Sequence, residues 1–380
     1  MSMSIMLTGG SFINKGAEAM ALTVHDCLVS AFPEVKIYMR VDPLYFDVAR
    51  KNGFIPLNGM PPISWKSRVF SKIISLRHYF ADDAVIDIGG YQFGDPWGWK
   101  NVMKTAQTIR YCNLFKTRTI FMPQAMGPFS HKAFSEFIPA IVGNSSLFFI
   151  RDRQSFEEVN KICPISENLL QHDIAWNFNS KGVDISDIVE KYSINKELPT
   201  VCITPNLRVY ERRGDQYLRC LTKIINILIV KGYQVILLGH ELRIDQKKDD
   251  RFLCRLLKEK NTSTIHIDAF LSAKQVKNII GLCDFIVSSR FHALIAAFSQ
   301  HIPAAAIGWS HKYVELLSDV GLPENLIKVP DDREKDEIES WLYDFISHLD
   351  VQKKLLQKKV PEIVAGSAKT LEQVVSVLGE

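Results

Sequence analysis

Short apolar runs recur along the chain, each closed by glycine or a polar cluster and followed by a longer amphipathic stretch. Runs over 4–8, 35–40, 84–88, 119–123 and 147–150 predict strands, and 17–32 predicts the first helix. The pattern pauses over the polar stretch 179–199. It then resumes with runs over 200–204, 234–239, 264–267, 285–287 and 304–307. These runs are continuously apolar rather than alternating, as parallel strands covered by helices on both faces require. A pause between two strand–helix series reads as a linker. The expectation is therefore an α/β chain with two domains, 1–178 and 199–349, each a parallel sheet covered by helices, with ligand held in the cleft. A helical segment, 350–380, follows them and is able to pack on either. In such sheets ligands gather outside the carboxyl ends of the strands, so the chemistry is sought just after each run.

Composition narrows the classes. Hydrophobic residues at 47% and charged residues at 23% exclude a disordered chain, a collagen-like fibre and a coiled-coil rod. No apolar run approaches the roughly 18 residues of a membrane span. The start, MSMSIMLTGG, lacks the basic and long apolar parts of a signal peptide. Seven cysteines form no CxxC pair, which fits buried thiols in a reducing, cytoplasmic compartment. With 46 basic and 42 acidic side chains, the net charge of +4 is too slight to argue for nucleic acid, while small acidic substrates stay open. HExxH, cysteine–histidine clusters and GxSxG are missing from the sequence, so neither a metal site nor a serine-hydrolase nucleophile is expected.

Candidate chemistry sits at the strand ends. Asn14-Lys15-Gly16 opens the first helix, where small residues and free N–H groups suit an anion or simply a tight turn. Gly89-Gly90 is followed by Asp95, read either as a base or hydroxyl anchor or as a turn-capping aspartate. Gln124 stands in a Pro-Gln-Ala-Met-Gly-Pro turn, with a ligand hydrogen bond and a rigid turn both open. Arg151-Asp152-Arg153 reads as a structural ion pair more than chemistry, and His172-Asp173 as cleft wall. The sharpest group is Ser288-Ser289-Arg290-Phe291-His292. An arginine fork there suits a carboxylate or phosphate, and a histidine suits proton transfer. Arg208, His240, His311 and Lys312 follow other strands of the same half. Together they describe a pocket for a small, strongly anionic ligand. The segment 65–80 carries four cations and no acid, with apolar residues at helical spacing. Packing on the first domain is the weightier reading, and docking on anionic lipid at the inner face of the membrane is the other.

In this order, NKGAEAM at 14–20, GG…D at 89–95, PQAMGPF at 123–129, RDRQS at 151–155, HD at 172–173, SSRFHALIAAFSQHIPAAAI at 288–307 and HK at 311–312 resemble the polysaccharide pyruvyl transferase family. The resemblance implies a GT-B-like fold of two Rossmann-like domains facing across a cleft, and an enzyme that moves the enolpyruvyl carbons of phosphoenolpyruvate onto two hydroxyls of one sugar as a ketal. It implies functional roles for Arg290 and His292, and less directly for Asp95 and Arg208. On that footing His292 is the acid and Asp95 the base. Arg290, Arg208, Lys312 and His311 hold the donor, and Asn14, Gly16, Gly90, Gln124 and His240 line the acceptor or cleft loops. No cofactor or metal is needed if arginines carry the developing phosphate charge. The acceptor is expected to be a lipid-linked or oligosaccharide sugar of a bacterial surface glycan. Tyr91 stands where the third glycine of the commoner triple-glycine motif would be, which alters the acceptor loop. Two alternatives stay beside this reading: a nucleotide-sugar glycosyltransferase of the same architecture, and an inactive sugar- or anion-binding module.

Overall fold

The computed structural model describes residues 3–58, 83–245, 248–308, 311–327 and 335–380. The expectation for 65–80 lies outside the described residues. The chain divides into two compact units. Met1–Phe12, Ala17–Phe178 and Ala365–Glu380 form the first, and Ile13–Gly16 with Asn179–Val364 the second.

The first unit holds strands β1 (Ser4–Thr8), β2 (Lys36–Val41), β3 (Ile55–Asn58), β4 (Ala84–Asp87), β5 (Tyr91–Phe93), β6 (Arg118–Met126) and β7 (Leu147–Ile150). Its sheet runs β3-β2-β1-β4-β6, with both β5 and β7 pairing to β6. The second unit holds β8 (Thr200–Thr204), β9 (Gln234–Leu238), β10 (Ile265–Ile267), β11 (Phe285–Ser288), β12 (Ala304–Ile307) and β13 (Leu326–Ile327), in the order β10-β9-β8-β11-β12-β13. Every described strand pairing is parallel. The chain is thus α/β with two parallel sheets, as the apolar runs predict, and both units are Rossmann-like. The runs do not reveal β3, β5 or β13. β5 and β13 are three and two residues long, and β3 is an edge strand interrupted by Pro56.

Side-chain alternation shows what fixes each sheet. In the second unit Val201 and Ile203 of β8, Val235 and Leu237 of β9, and Phe285 and Val287 of β11 share one core. The helix Asp215–Val230 covers them with Leu221, Ile224 and Leu228 at helical spacing. Each such fully buried side chain contributes roughly 1.5–3 kcal/mol. In the first unit Phe121 and Met126 of β6 pack against Val102, Ala106 and Ile109 of the helix Trp99–Leu114. The stretch 179–199 is not bare linker. It carries the helix Ser186–Lys191 and is fastened by Asn278 Nδ2, which donates to the carbonyls of Ser180 and Val183.

Strand order reverses direction at β1/β4 and at β8/β11. At such a switch the following loops part to opposite faces and leave a crevice beyond the strand ends. Thr204 and Ser288 are register partners at the second switch point.

Candidate active site

In the second unit, β11 ends in Ser288 and its chain turns through Ser289 and Arg290 into the helix Phe291–Phe298. Ser288 Oγ closes this turn on itself. It accepts from Arg290 N at 2.9 Å and donates to Arg290 O at 3.0 Å, while Thr204 Oγ1 donates to it from β8. Ser289 is held equally firmly. Tyr217 donates to its hydroxyl at 2.7 Å, and Tyr313 and Asn206 donate to its carbonyl at 2.7 and 3.0 Å. The small hydroxyls that the sequence places here are therefore the fasteners of the turn.

Arg290 is buried, and its fork is occupied. Nη1 donates to Glu241 Oε2 at 3.1 Å and Nη2 to Asp250 Oδ1, while Nε is buried without a partner among the described residues. Burial alone would weaken the guanidinium charge, but Asp250 and then Glu241 more than offset it. The open fork expected from sequence is closed in this structure by two internal carboxylates.

The segment Ile13–Gly16 joins this centre. Lys15 N donates to His240 O at 3.0 Å, Leu242 N donates to Ile13 O at 2.9 Å, and Asn14 forms an antiparallel bridge with Glu241. Lys15 is buried, with Nζ 4.3 Å from the ring centroid of Phe270. Gly16 lies directly against the imidazole of His292. A Cβ added there would sit 2.6 Å from His292 Cβ and closer still to Nδ1 and Cγ. Sequence reasoning gives Gly16 to the approach of a ligand. The group that approaches it is His292. His240, also buried, is pushed well below the usual histidine range by its burial and by the charges of Arg290, His292 and Lys15. It is neutral near pH 7.

The remaining donor-side candidates stand nearby in sequence order but differ in exposure. Arg208 is exposed on the helix Leu207–Arg213, which Asn206 caps by accepting from Arg208 N at 3.0 Å. Lys312 Nζ lies 5.4 Å from the Phe291 ring centroid on the helix His311–Asp319. His311 opens that helix, and its side chain lies outside the described residues.

The other candidates belong to the first unit. Asp95 is exposed, and its carboxylate accepts from Ser130 N at 3.0 Å and from Ser130 Oγ at 2.6 Å, a turn-fastening arrangement. Gly90 accepts from Ala125 N at 3.0 Å. Gln124 is fully buried, and neither of its amide atoms has a partner among the described residues. Arg151 pairs with Asp173 at 2.8 Å, both side chains buried, whereas Asp152 caps the helix Arg153–Ile162 by accepting from Ser155 N at 2.8 Å. The carboxylate embedded in the glycine loop is Asp87, at the end of β4. It accepts from Gly89 N at 2.8 Å, Gln92 Nε2 at 2.6 Å and Thr8 Oγ1 at 2.9 Å. Burial nevertheless pushes its pKa up.

The sequence motifs include Lys15 without giving its side chain a role, and they do not single out Asp87, Glu241 or Asp250. Glu241 and Asp250 pair with Arg290, 49 and 40 residues away, whereas Asp87 is bonded within its own loop to Gly89 and Gln92 and across the sheet to Thr8.

The family model described as Polysaccharide pyruvyl transferase matches residues 14–311. The amylovoran biosynthesis protein AmsJ of Erwinia amylovora is 23% identical over 330 residues, 78% of each chain. Among solved structures, UDP-GlcNAc 2-epimerase from Neisseria meningitidis, bound to UDP-GlcNAc, has a TM-score of 0.64 at 12% identity over 99% of both chains. The enzyme of the same name from Methanocaldococcus jannaschii has a TM-score of 0.59 at 13% identity, covering 100% of this chain and 99% of its own. The spinosyn rhamnosyltransferase SpnG has a TM-score of 0.55 at 11% identity, covering 98% of this chain and 100% of its own. At such identities these three likenesses concern the fold, two Rossmann-like units of GT-B type. The match over 14–311 concerns the family as well: this chain belongs to the polysaccharide pyruvyl transferase family, sugar-modifying transferases on a GT-B-like fold.

Proposed function

We propose that the protein transfers the enolpyruvyl carbons of phosphoenolpyruvate to two hydroxyls of one sugar, forming a pyruvate ketal and releasing phosphate. The observation that carries this reading is the family match over 14–311 together with its chemistry at the second unit's strand ends, where Lys15, Arg290 and His292 gather. A donor bearing both carboxylate and phosphate is complemented by such cations and by a helix start. His292 delivers a proton to the terminal methylene carbon, and a sugar hydroxyl attacks the neighbouring carbon. The carbon–oxygen bond to phosphate breaks, phosphate leaves with the bridging oxygen, and the second hydroxyl closes the ketal. One hydroxyl proton balances the proton added to carbon, and the other leaves with phosphate or solvent. Asp95 is assigned the base role by family resemblance. Arg290 binds the donor by exchanging one carboxylate for another, and Glu241, the less buried of its two partners, is the one to yield. Arg208, Lys312 and His311 are assigned to the donor. Asn14, Gly16, Gly90, Gln124 and His240 are assigned to the acceptor or cleft loops.

The acceptor is proposed to be a lipid-linked or oligosaccharide precursor of a surface glycan, modified in the cytoplasm before export. Among the described residues no helix is long and apolar enough to cross a membrane. A second reading, nucleotide-sugar chemistry, is favoured by the whole-chain likeness to UDP-GlcNAc 2-epimerases and to SpnG. Incubating the protein with phosphoenolpyruvate or UDP-sugars and a panel of acceptors separates the two. Phosphate release with a pyruvylated product supports the first reading. Release of UDP, or an epimerised sugar, rejects it in favour of the second.

A further inference from the structure

We infer that Asp250 is the positioning residue of the donor site, holding Arg290 in plane and tying together the three strand-end loops around it. The inference rests on the donor site proposed above. Asp250 is wholly buried at the first position of the helix Asp250–Lys260. A carboxylate there ordinarily caps its own helix, but Asp249 already does so, accepting from Arg251 N at 2.9 Å. The Asp250 carboxylate instead turns away from its helix and accepts four donors. Oδ1 accepts from Leu207 N at 3.1 Å and from Arg290 Nη2, and Oδ2 from His240 N at 3.1 Å and Glu241 N at 2.8 Å.

Those donors come from the loops after β8, β9 and β11, which carry Arg208, His240, and Arg290 with His292. One buried side chain thus fixes the spacing of three loops. It also fixes the guanidinium. With Nε unpartnered among the described residues, the plane of Arg290 is set by its two Nη groups alone. Glu241 holds one of them from a more exposed position, with side-chain exposure of 15% against 0% for Asp250. Asp250 is the permanent anchor, and a planar fork held at one end presents the other end in a defined direction. Without it the guanidinium turns, and a misplacement on the order of 1 Å costs about 10²-fold in rate.

Two measurements test this. The first needs no substrate: side-chain spectra of deuterated protein with isotope-labelled arginine, with Arg290 assigned by its loss in Arg290→Lys. Locked guanidinium gives separate, slowly exchanging Nη signals, and a single averaged signal overturns the proposal. The second is kinetic. Asp250→Asn is expected to lower kcat/KM for phosphoenolpyruvate about 10²-fold, with Asp250→Glu regaining about tenfold. Asp250→Asn with wild-type thermal stability and donor kcat/KM within about threefold overturns the proposal. Should Asp250→Asn not fold, Asp250→Glu and the arginine spectra decide. A protein that ignores phosphoenolpyruvate yet shows locked Arg290 signals defeats the donor assignment and leaves the anchoring of Arg290 standing.

Discussion

Gly16→Ala adds one methyl group and removes no functional atom, so it isolates the position of His292 from its presence. The new Cβ would stand 2.6 Å from His292 Cβ and closer to two ring atoms, where ordinary contact begins at 3.4 Å. The imidazole must retreat by about 1 Å, since Lys15 N on His240 O holds the glycine's own backbone in place. Overpacking of this kind typically costs about 1–3 kcal/mol of stability. A displaced proton donor costs more in rate than in stability, about 10²-fold for a shift of that size. Turnover of phosphoenolpyruvate and the thermal midpoint should be measured together, with Gly143→Ala as the control. Gly143 lies in the helix Phe134–Asn144 with nothing within 4 Å of the added Cβ. The account expects Gly16→Ala to lose most turnover while staying folded, and Gly143→Ala to lose none. If folded Gly16→Ala keeps turnover within about threefold of wild type, His292 is not the proton donor at this place.

Three further perturbations follow from the same geometry. Glu241→Gln removes the charge that competes with the donor for Arg290, so donor affinity by calorimetry should rise about tenfold, and weaker binding would contradict carboxylate exchange. His240 has its folded pKa depressed by burial, then by neighbouring cations, so its stabilising contribution is complete above the ordinary histidine value of 6.5 and is lost as pH falls below it. Denaturant unfolding should therefore show stability falling below about pH 6.5 by up to ~1.4 kcal/mol per pH unit, and His240→Gln should remove that share of the slope. Arg151→Met removes the cation that is paired with buried Asp173, which should cost about 3–5 kcal/mol, and an unchanged thermal midpoint would refute the pair's role.

The fold was legible because its strands are buried on both faces and so announce themselves as unbroken apolar runs. The boundaries of β1, β7, β8 and β12 coincide with those runs. β3, β5 and β13 escaped because two or three residues, or a proline at an edge, make no such run. At the site, position along the chain was legible and partnership was not. Arg290 reads as an open fork because its neighbours in sequence are Ser289 and Phe291. Its partners, Glu241 and Asp250, lie 49 and 40 residues away. Asp250 itself reads as an ordinary acidic first-turn residue, and only the cap on Asp249 frees it for another task. Asp95 kept two readings in the sequence, and its bonds to Ser130 supply the structural one without removing its carboxylate from the surface. Gly16 shows the same limit: the need for a small residue is legible, and the imidazole that imposes it is not.

Phosphoenolpyruvate labelled with heavy oxygen in its carbon–oxygen–phosphorus bridge tests the central claim most directly, because the label reports which bond the enzyme breaks. The protein is incubated with this donor, a UDP-sugar and a sugar acceptor, and phosphate and products are analysed by mass. The account predicts that all the label leaves in phosphate while the sugar gains a pyruvate ketal. Label retained in the pyruvyl carbons' oxygen would mean phosphoryl transfer rather than ketal formation. An untouched donor beside a consumed UDP-sugar would mean that this second unit binds a nucleotide instead.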